Sequence, residues 1–288
     1  MILVTGATGH FGNAAIQTLL KKGIPASEIT ALVRDEKKTG DLKNQGITFK
    51  MGNYDDYESL EKAFEGVDKL LFISSNDPEH GLDQHKNVLN AAKKNNVGHI
   101  VYTSQETRNG KHTSIPFVIG IHKATADLII NSGITYTILN NTLYADSIDK
   151  FIGENYLETG IFFPAGDGKI PFMPRAEMAE AAAEVLAGTG HEHKIYSIAG
   201  EKAYSFDDIA ELLSAIKGKK ITYHKPDANT FIDTVVNAGV PKELASFLGS
   251  FGDGMANGEF DTQRSDVKHL IGRKPMELEE FLKITYGK

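Results

Sequence analysis

The chain has 288 residues, 41% hydrophobic and 24% charged, which suits a soluble globular protein with a substantial core. Its formal charge of −7 argues against a general nucleic-acid binder, and the absence of cysteine excludes disulfides, thiolate nucleophiles and zinc–thiolate sites. No apolar run reaches membrane-spanning length and an apolar strand starts at Ile2, so neither a membrane partner nor a signal peptide is expected and the expected compartment is the cytoplasm.

Residues 1–12 read MILVTGATGHFG. Ile2, Leu3 and Val4 form an apolar run long enough for a buried parallel strand, and a helical pattern follows over residues 13–22. Between them stand Gly6, Gly9 and Gly12 at spacing three. Strand, glycine turn and helix together open a dinucleotide-binding unit. Gly6 permits the tight turn, Gly9 lets the backbone approach a pyrophosphate, and Gly12 lets helix pack on strand. The helix N-terminus then turns free N–H groups and a positive dipole end towards the phosphates. Thr8, His10 and Phe11 lie in the same loop and are assigned to the cofactor with it. The spacing is GxxGxxG rather than GxGxxG, so the flanking strand and helix carry the assignment.

Further strands are expected at residues 28–33, 46–51, 69–73, 99–103 and 135–139, with helices at 56–64, 82–96 and 122–131. This alternation predicts a doubly wound parallel sheet, whose ligand crevice lies at the carboxyl ends of the first and fourth strands. Past residue 141 the rhythm changes. A mixed stretch (153–168), an alanine-rich helix (176–187), a strand able to rejoin the sheet (194–198) and a helix capped by Ser205 (205–216) precede a short strand (220–224) and glycine-broken helical pattern. The expected fold is α/β: a doubly wound parallel Rossmann sheet over residues 1–150 with a smaller C-terminal α/β substrate lobe over 151–288, of which the part near 190–200 returns to the sheet.

Arg34 follows the second strand directly, where a dinucleotide enzyme chooses between cofactors. A guanidinium there pairs with the 2′-phosphate of NADP, whereas Asp35, the next residue, would favour NAD if it turned inward. Arginine's fit to phosphate favours NADPH over NADH. Ser74 and Ser75 end the fourth strand and Thr103 and Ser104 the fifth, where small hydroxyls let a cofactor lie close or simply make local hydrogen bonds. No tyrosine stands four residues before Lys123, so the Tyr-x-x-x-Lys acid of a simple alcohol dehydrogenase is absent. The remaining candidates are His122, opening the helix after the fifth strand, and Asn141 and Tyr144 after the sixth. Asn141 can donate to a carbonyl or carboxamide, and His122 can donate or shuttle a proton, or be merely structural. No histidine shows metal-ligand spacing with carboxylates, so no metal site is expected.

The segments GATGHFG (6–12), ALVRD (31–35), KLLFISS (69–75), GHIVYTS (98–104), SGITYTILNNTLYAD (132–146) and AGDGKI (165–170) resemble the NmrA-like, atypical short-chain dehydrogenases, and the likeness runs on through HLIGRKPMELEEFL (269–282). The resemblance implies NADPH as cofactor, held by the glycine loop and Arg34, with quinones or cationic dyes as small-molecule acceptors. It carries over His122, Asn141 and Tyr144 as site residues. Asn140 and Ala126 depart from the arginine and glutamate usual in the family, and the loop 105–117, expected over the nicotinamide end, is poorly matched. Two functions follow. One is an NADPH-dependent reductase; the other is a catalytically silent dinucleotide sensor of the NmrA type, the only reading that would involve nucleic acid. An epimerase is weakened by the missing tyrosine, and a homodimer is left open.

Overall fold

The computed structural model describes residues 1–35, 37, 39–108 and 113–287. In chain order the strands are β1 (Ile2–Val4), β2 (Ile29–Val33), β3 (Thr48–Met51), β4 (Lys69–Phe72), β5 (His99–Gln105), β6 (Thr135–Asn141), β7 (Ile161–Phe162), β8 (Lys194–Ile198) and β9 (Tyr223–His224). The helices are α1 (His10–Lys21), α2 (Tyr57–Ala63), α3 (Gly81–Lys94), α4 (Pro116–Ile130), α5 (Ile148–Ile152), α6 (Tyr156–Thr159), α7 (Arg175–Ala187), α8 (Phe206–Lys217), α9 (Ala228–Asn237), α10 (Lys242–Ala256), α11 (Val267–Ile271) and α12 (Leu278–Tyr286).

One seven-stranded sheet has the order β3-β2-β1-β4-β5-β6-β8, and every pairing in it is parallel. A parallel sheet is covered on both faces, so its strands read as continuous apolar runs rather than as alternating ones. The pleat sorts those runs. Val4, Leu71 and Val101 enter the core beneath α1 and α7, whereas Leu3, Leu70, Phe72, Ile100 and Tyr102 enter the core beneath α2, α3 and α4. Alanines 179 and 181–183 of α7 are fully buried, which lets that helix lie close to α1. The two run side by side, with Lys22 at the end of α1 paired to Glu184 of α7 at 2.5 Å. The expected strand at 194–198 is β8, the seventh strand of the sheet.

A third core, rich in phenylalanine (Phe151, Phe163, Phe172, Phe206, Phe231, Phe260), lies beneath α5, α8, α9, α10 and α12. The two-stranded parallel pair β7–β9 belongs to it. Helix α8 begins with a capping box in which Ser205 and Asp208 satisfy each other's backbone N–H groups, as the sequence suggested for Ser205. This lobe overhangs the carboxyl ends of β5 and β6 and makes one side of the cleft described next.

Candidate active site

The glycine loop joins β1 to α1. Gly6 has φ +55°, the left-handed turn conformation that glycine adopts without penalty. The Gly9 N–H donates to the Gly6 carbonyl at 2.9 Å, and α1 starts at His10, three residues earlier than its pattern suggested. No side chain caps this helix, so its leading N–H groups remain available to an anion. A Cβ on Gly12 would stand 2.8 Å from Ala7 Cα, whereas one on Gly9 would meet only the Gly6 carbonyl oxygen, at 3.2 Å. Gly12 thus abuts backbone on several atoms, whereas Gly9 has a single tight neighbour, the Gly6 carbonyl oxygen. Thr8 and His10 are exposed; Phe11 buries its ring in the core and offers the loop only its backbone.

At the end of β2, Arg34 is exposed and forms no ion pair among the described residues. The Asp35 carboxylate accepts from the Lys37 N–H at 2.9 Å, bending back on its own loop. Among the described residues, therefore, no carboxylate pairs with the guanidinium.

A cleft of about 330 Å³ opens at the carboxyl ends of β4, β5 and β6. Ser74, Ser75, Thr103, Ser104, His122, Asn141 and Tyr144 all line it, so the structure brings these sequence candidates together. Strand ends are tied by the hydroxyls expected there: the Ser74 N–H donates to Thr103 Oγ1 at 3.0 Å, and the Ser75 hydroxyl bonds Gln84 Oε1.

His122 does not open its helix. Pro116 starts α4 almost two turns earlier, at the first helical position that proline favours, which leaves His122 mid-helix and aimed at the cleft. Its Nδ1 lies 3.1 Å from the Tyr102 hydroxyl. Burial lowers its pKa to about 4, so the ring is neutral at pH 7. Asn141, at the end of β6, is 2% exposed, and among the described residues neither its amide nitrogen nor its amide oxygen has a partner in full hydrogen-bond geometry, although the Tyr144 hydroxyl is close enough to interact with the amide. Leaving both ends of a buried amide unpaired is costly unless a ligand takes them up. Tyr144 has its hydroxyl pKa raised by burial, and the Arg175 guanidinium lies 4.6 Å over its ring.

Other cleft residues escaped the sequence reading. Phe117 of α4 and Phe247 and Phe251 of α10 form an aromatic side, with ring centroids 5.7 Å apart for Phe117–Phe247 and 5.0 Å for Phe247–Phe251. Lys150 and Arg175 add positive charge at the rim. Only the i, i+4 spacing of Phe247 and Phe251 could have marked them, and that spacing looks like ordinary core. The loop 105–117 is anchored by Glu259, which accepts from the Thr113 hydroxyl at 2.6 Å and from the Ser114 N–H at 2.8 Å. Residues 109–112 of this loop lie outside the described residues.

The sequence profile described as the NmrA-like family matches residues 1–282. Quinone oxidoreductase 2 of Escherichia coli (strain K12) is 38% identical over 288 residues, covering 97% of this chain and 96% of its own. The crystal structure of Citrobacter sp. triphenylmethane reductase complexed with NADP(H) superimposes with a TM-score of 0.91 at 39% identity, over 99% of both chains. The NADPH-dependent quinone oxidoreductase of Escherichia coli complexed with NADPH does so with a TM-score of 0.91 at 34% identity, over 99% of this chain and 100% of its own.

Proposed function

The chain belongs to the NmrA-like family, and from that premise we propose that it is an NADPH-dependent oxidoreductase passing hydride to quinones or comparable flat conjugated acceptors. The observation that carries the reading is the unpartnered Asn141 amide, buried where the strand ends meet the aromatic side of the cleft. NADPH supplies the hydride.

Gly9 and the uncapped N-terminus of α1 hold the pyrophosphate, with Gly6 and Gly12 shaping the loop and Thr8, His10 and Phe11 lending backbone. Arg34 takes the 2′-phosphate, a role helped by Asp35 bending away to the Lys37 N–H. Ser74, Ser75, Thr103 and Ser104 let the cofactor lie against the strand ends. Asn141 orients a carboxamide or the acceptor carbonyl, Tyr144 completes the wall, and Phe247 and Phe251 stack the acceptor and exclude water.

Reducing a quinone yields a delocalised hydroquinone anion that water can protonate, so the missing Tyr-x-x-x-Lys acid costs little. A neutral His122 suits that chemistry as a hydrogen-bond donor. Quinone oxidoreductase 2 and triphenylmethane reductase, the similar proteins described above, both carry the name of a reductase, which favours turnover over the silent-sensor reading. Among the described residues no helix is long and apolar enough to cross a membrane. A cytoplasmic location and a homodimer belong to the proposal, the latter open to sedimentation equilibrium.

The test uses purified, flavin-free protein, NADPH and a panel of quinones, followed at the NADPH absorbance band. Oxidation above the solution background is expected. NADPH binding without reduction of any acceptor overturns the enzyme reading and puts the sensor in its place.

A further inference from the structure

Beside the cleft runs a hydrogen-bond network whose protons can be assigned by elimination. The Ser75 backbone N–H donates to His85 Nε2 at 2.8 Å, so Nε2 carries no proton and the neutral ring holds its proton on Nδ1. That Nδ1–H donates to Thr125 Oγ1 at 2.7 Å, and the Thr125 hydroxyl donates to the Ile121 carbonyl at 2.8 Å.

Tyr102 completes the network. The pleat of β5 turns it towards α3 and α4, where it is 0% exposed and packed against Phe72 and the rings of His85 and His122. Among the described residues its hydroxyl has one partner in hydrogen-bond geometry, His122 Nδ1 at 3.1 Å. Thr125 Oγ1 is also nearby and, after donating to Ile121 and accepting from His85, keeps one lone pair, but it does not stand in hydrogen-bond geometry to the phenol, whereas His122 Nδ1 does. A phenol that cannot reach water gives its proton to the acceptor within range. Burial raises the Tyr102 pKa and lowers that of His122 to about 4, so a protonated phenol faces a neutral imidazole.

We propose that Tyr102 is a positioning residue that fixes His122 as the Nε2–H tautomer, so that His122 meets the developing oxyanion of the acceptor as a neutral hydrogen-bond donor. The inference rests on the reductase reading for its consequence, but its geometry does not. The proton count follows. Hydride and quinone give the hydroquinone anion; His122 keeps its Nε2 proton, because releasing it would leave an imidazolate; water supplies the proton that completes the hydroquinone. A neutral imidazole stabilises developing charge in this way without first having to lose a proton to solvent.

The test reads the tautomer directly. In ¹⁵N-labelled protein, two-bond imidazole correlations separate protonated from bare ring nitrogens, with the His122 signals assigned by their loss in His122→Asn. Wild type should show a protonated Nε2 and a bare Nδ1, and Tyr102→Phe should show averaged shifts from mixed tautomers. In turnover, Tyr102→Phe should lower kcat with a quinone by about 10-fold while leaving KM for NADPH unchanged, the loss expected for one misplaced hydrogen bond. Added to His122→Ala it should have no further effect on kcat. A wild-type His122 protonated at Nδ1, or additive losses in the double variant, overturns the proposal. If wild type reduces no quinone, the reductase reading fails while the spectrum still decides the tautomer; if Tyr102→Phe does not fold, the wild-type spectrum alone decides it.

Discussion

A Cβ added to Gly12 would lie 2.4 Å from the Gly6 carbonyl oxygen, so these two residues form a backbone contact that no side chain can enter. Gly9, between them, has no such neighbour beyond the same oxygen at 3.2 Å. The three glycines of one motif thus serve two ends. Gly12→Ala should destabilise the fold by about 1–3 kcal/mol, the usual cost of forcing atoms into a packed site. Gly9→Val should lose NADPH binding while lowering the melting temperature of the cofactor-free protein less than Gly12→Ala does. Thermal unfolding and an NADPH titration of both variants check this; the opposite pattern would exchange the two roles.

Arg34 should set the cofactor preference. It is exposed at the end of β2 and forms no ion pair among the described residues, while Asp35 is engaged by the Lys37 N–H. Arg34→Ala should weaken NADPH binding by about 1.5–3 kcal/mol, the range for a hydrogen bond to a charged group, and leave NADH almost unaffected. Wild-type protein that binds both cofactors equally would remove the arginine from this role.

Most of the sheet was legible because a parallel strand buried on both faces announces itself as an apolar run: KLLF and HIVYT need no context. Helix starts were less legible. Gly12 fell just before the expected helix start at residue 13 but lies inside α1, and Pro116, not His122, opens α4. The site divides in the same way. Ser74, Thr103 and Asn141 were found because strand ends converge by topology. Phe247, Phe251 and Arg175 were not, since they reach the cleft from α10 and α7, far along the chain, and only the folded lobe brings them to β6. Tyr102 sits unremarked within the expected strand 99–103, and its hydroxyl gains meaning only through His122.

Asn141 should trade stability for activity. Burying an amide with both ends unpaired costs about 1–3 kcal/mol, and leucine of similar size removes the cost. Asn141→Leu should therefore raise the denaturation midpoint of the cofactor-free protein. It should also lower quinone turnover by more than it weakens NADPH binding, because orientation matters most in the transition state. Chemical denaturation and steady-state kinetics on the same preparations test both halves. A variant that is less stable and fully active would mean that the amide serves the fold and not the site.

The buried histidines predict a loss of stability in mild acid. His85 and His99 are 1% and 7% exposed, and burial lowers their pKa from the ordinary 6.5 to about 3 and about 4. In the unfolded chain both protonate near pH 6.5; in the folded chain they stay neutral to much lower pH. Between those limits the unfolded state binds more protons, so stability rises with pH and is lost as pH falls from about 6.5 towards 4. Each contributes at most about 1.4 kcal/mol per pH unit in that window and nothing above pH 7. Glu106 opposes them, since burial raises its pKa and favours the folded state in acid, but it is one group against His85, His99, His122 and His191, all of whose pKa values burial lowers. Urea midpoints should be flat from pH 8 to 7 and fall clearly by pH 5. His99→Gln, which can still reach Thr137, should remove part of the slope while leaving the midpoint at pH 7.5 close to wild type. A midpoint that does not move between pH 7.5 and 5 would mean that these rings protonate in place within the folded protein.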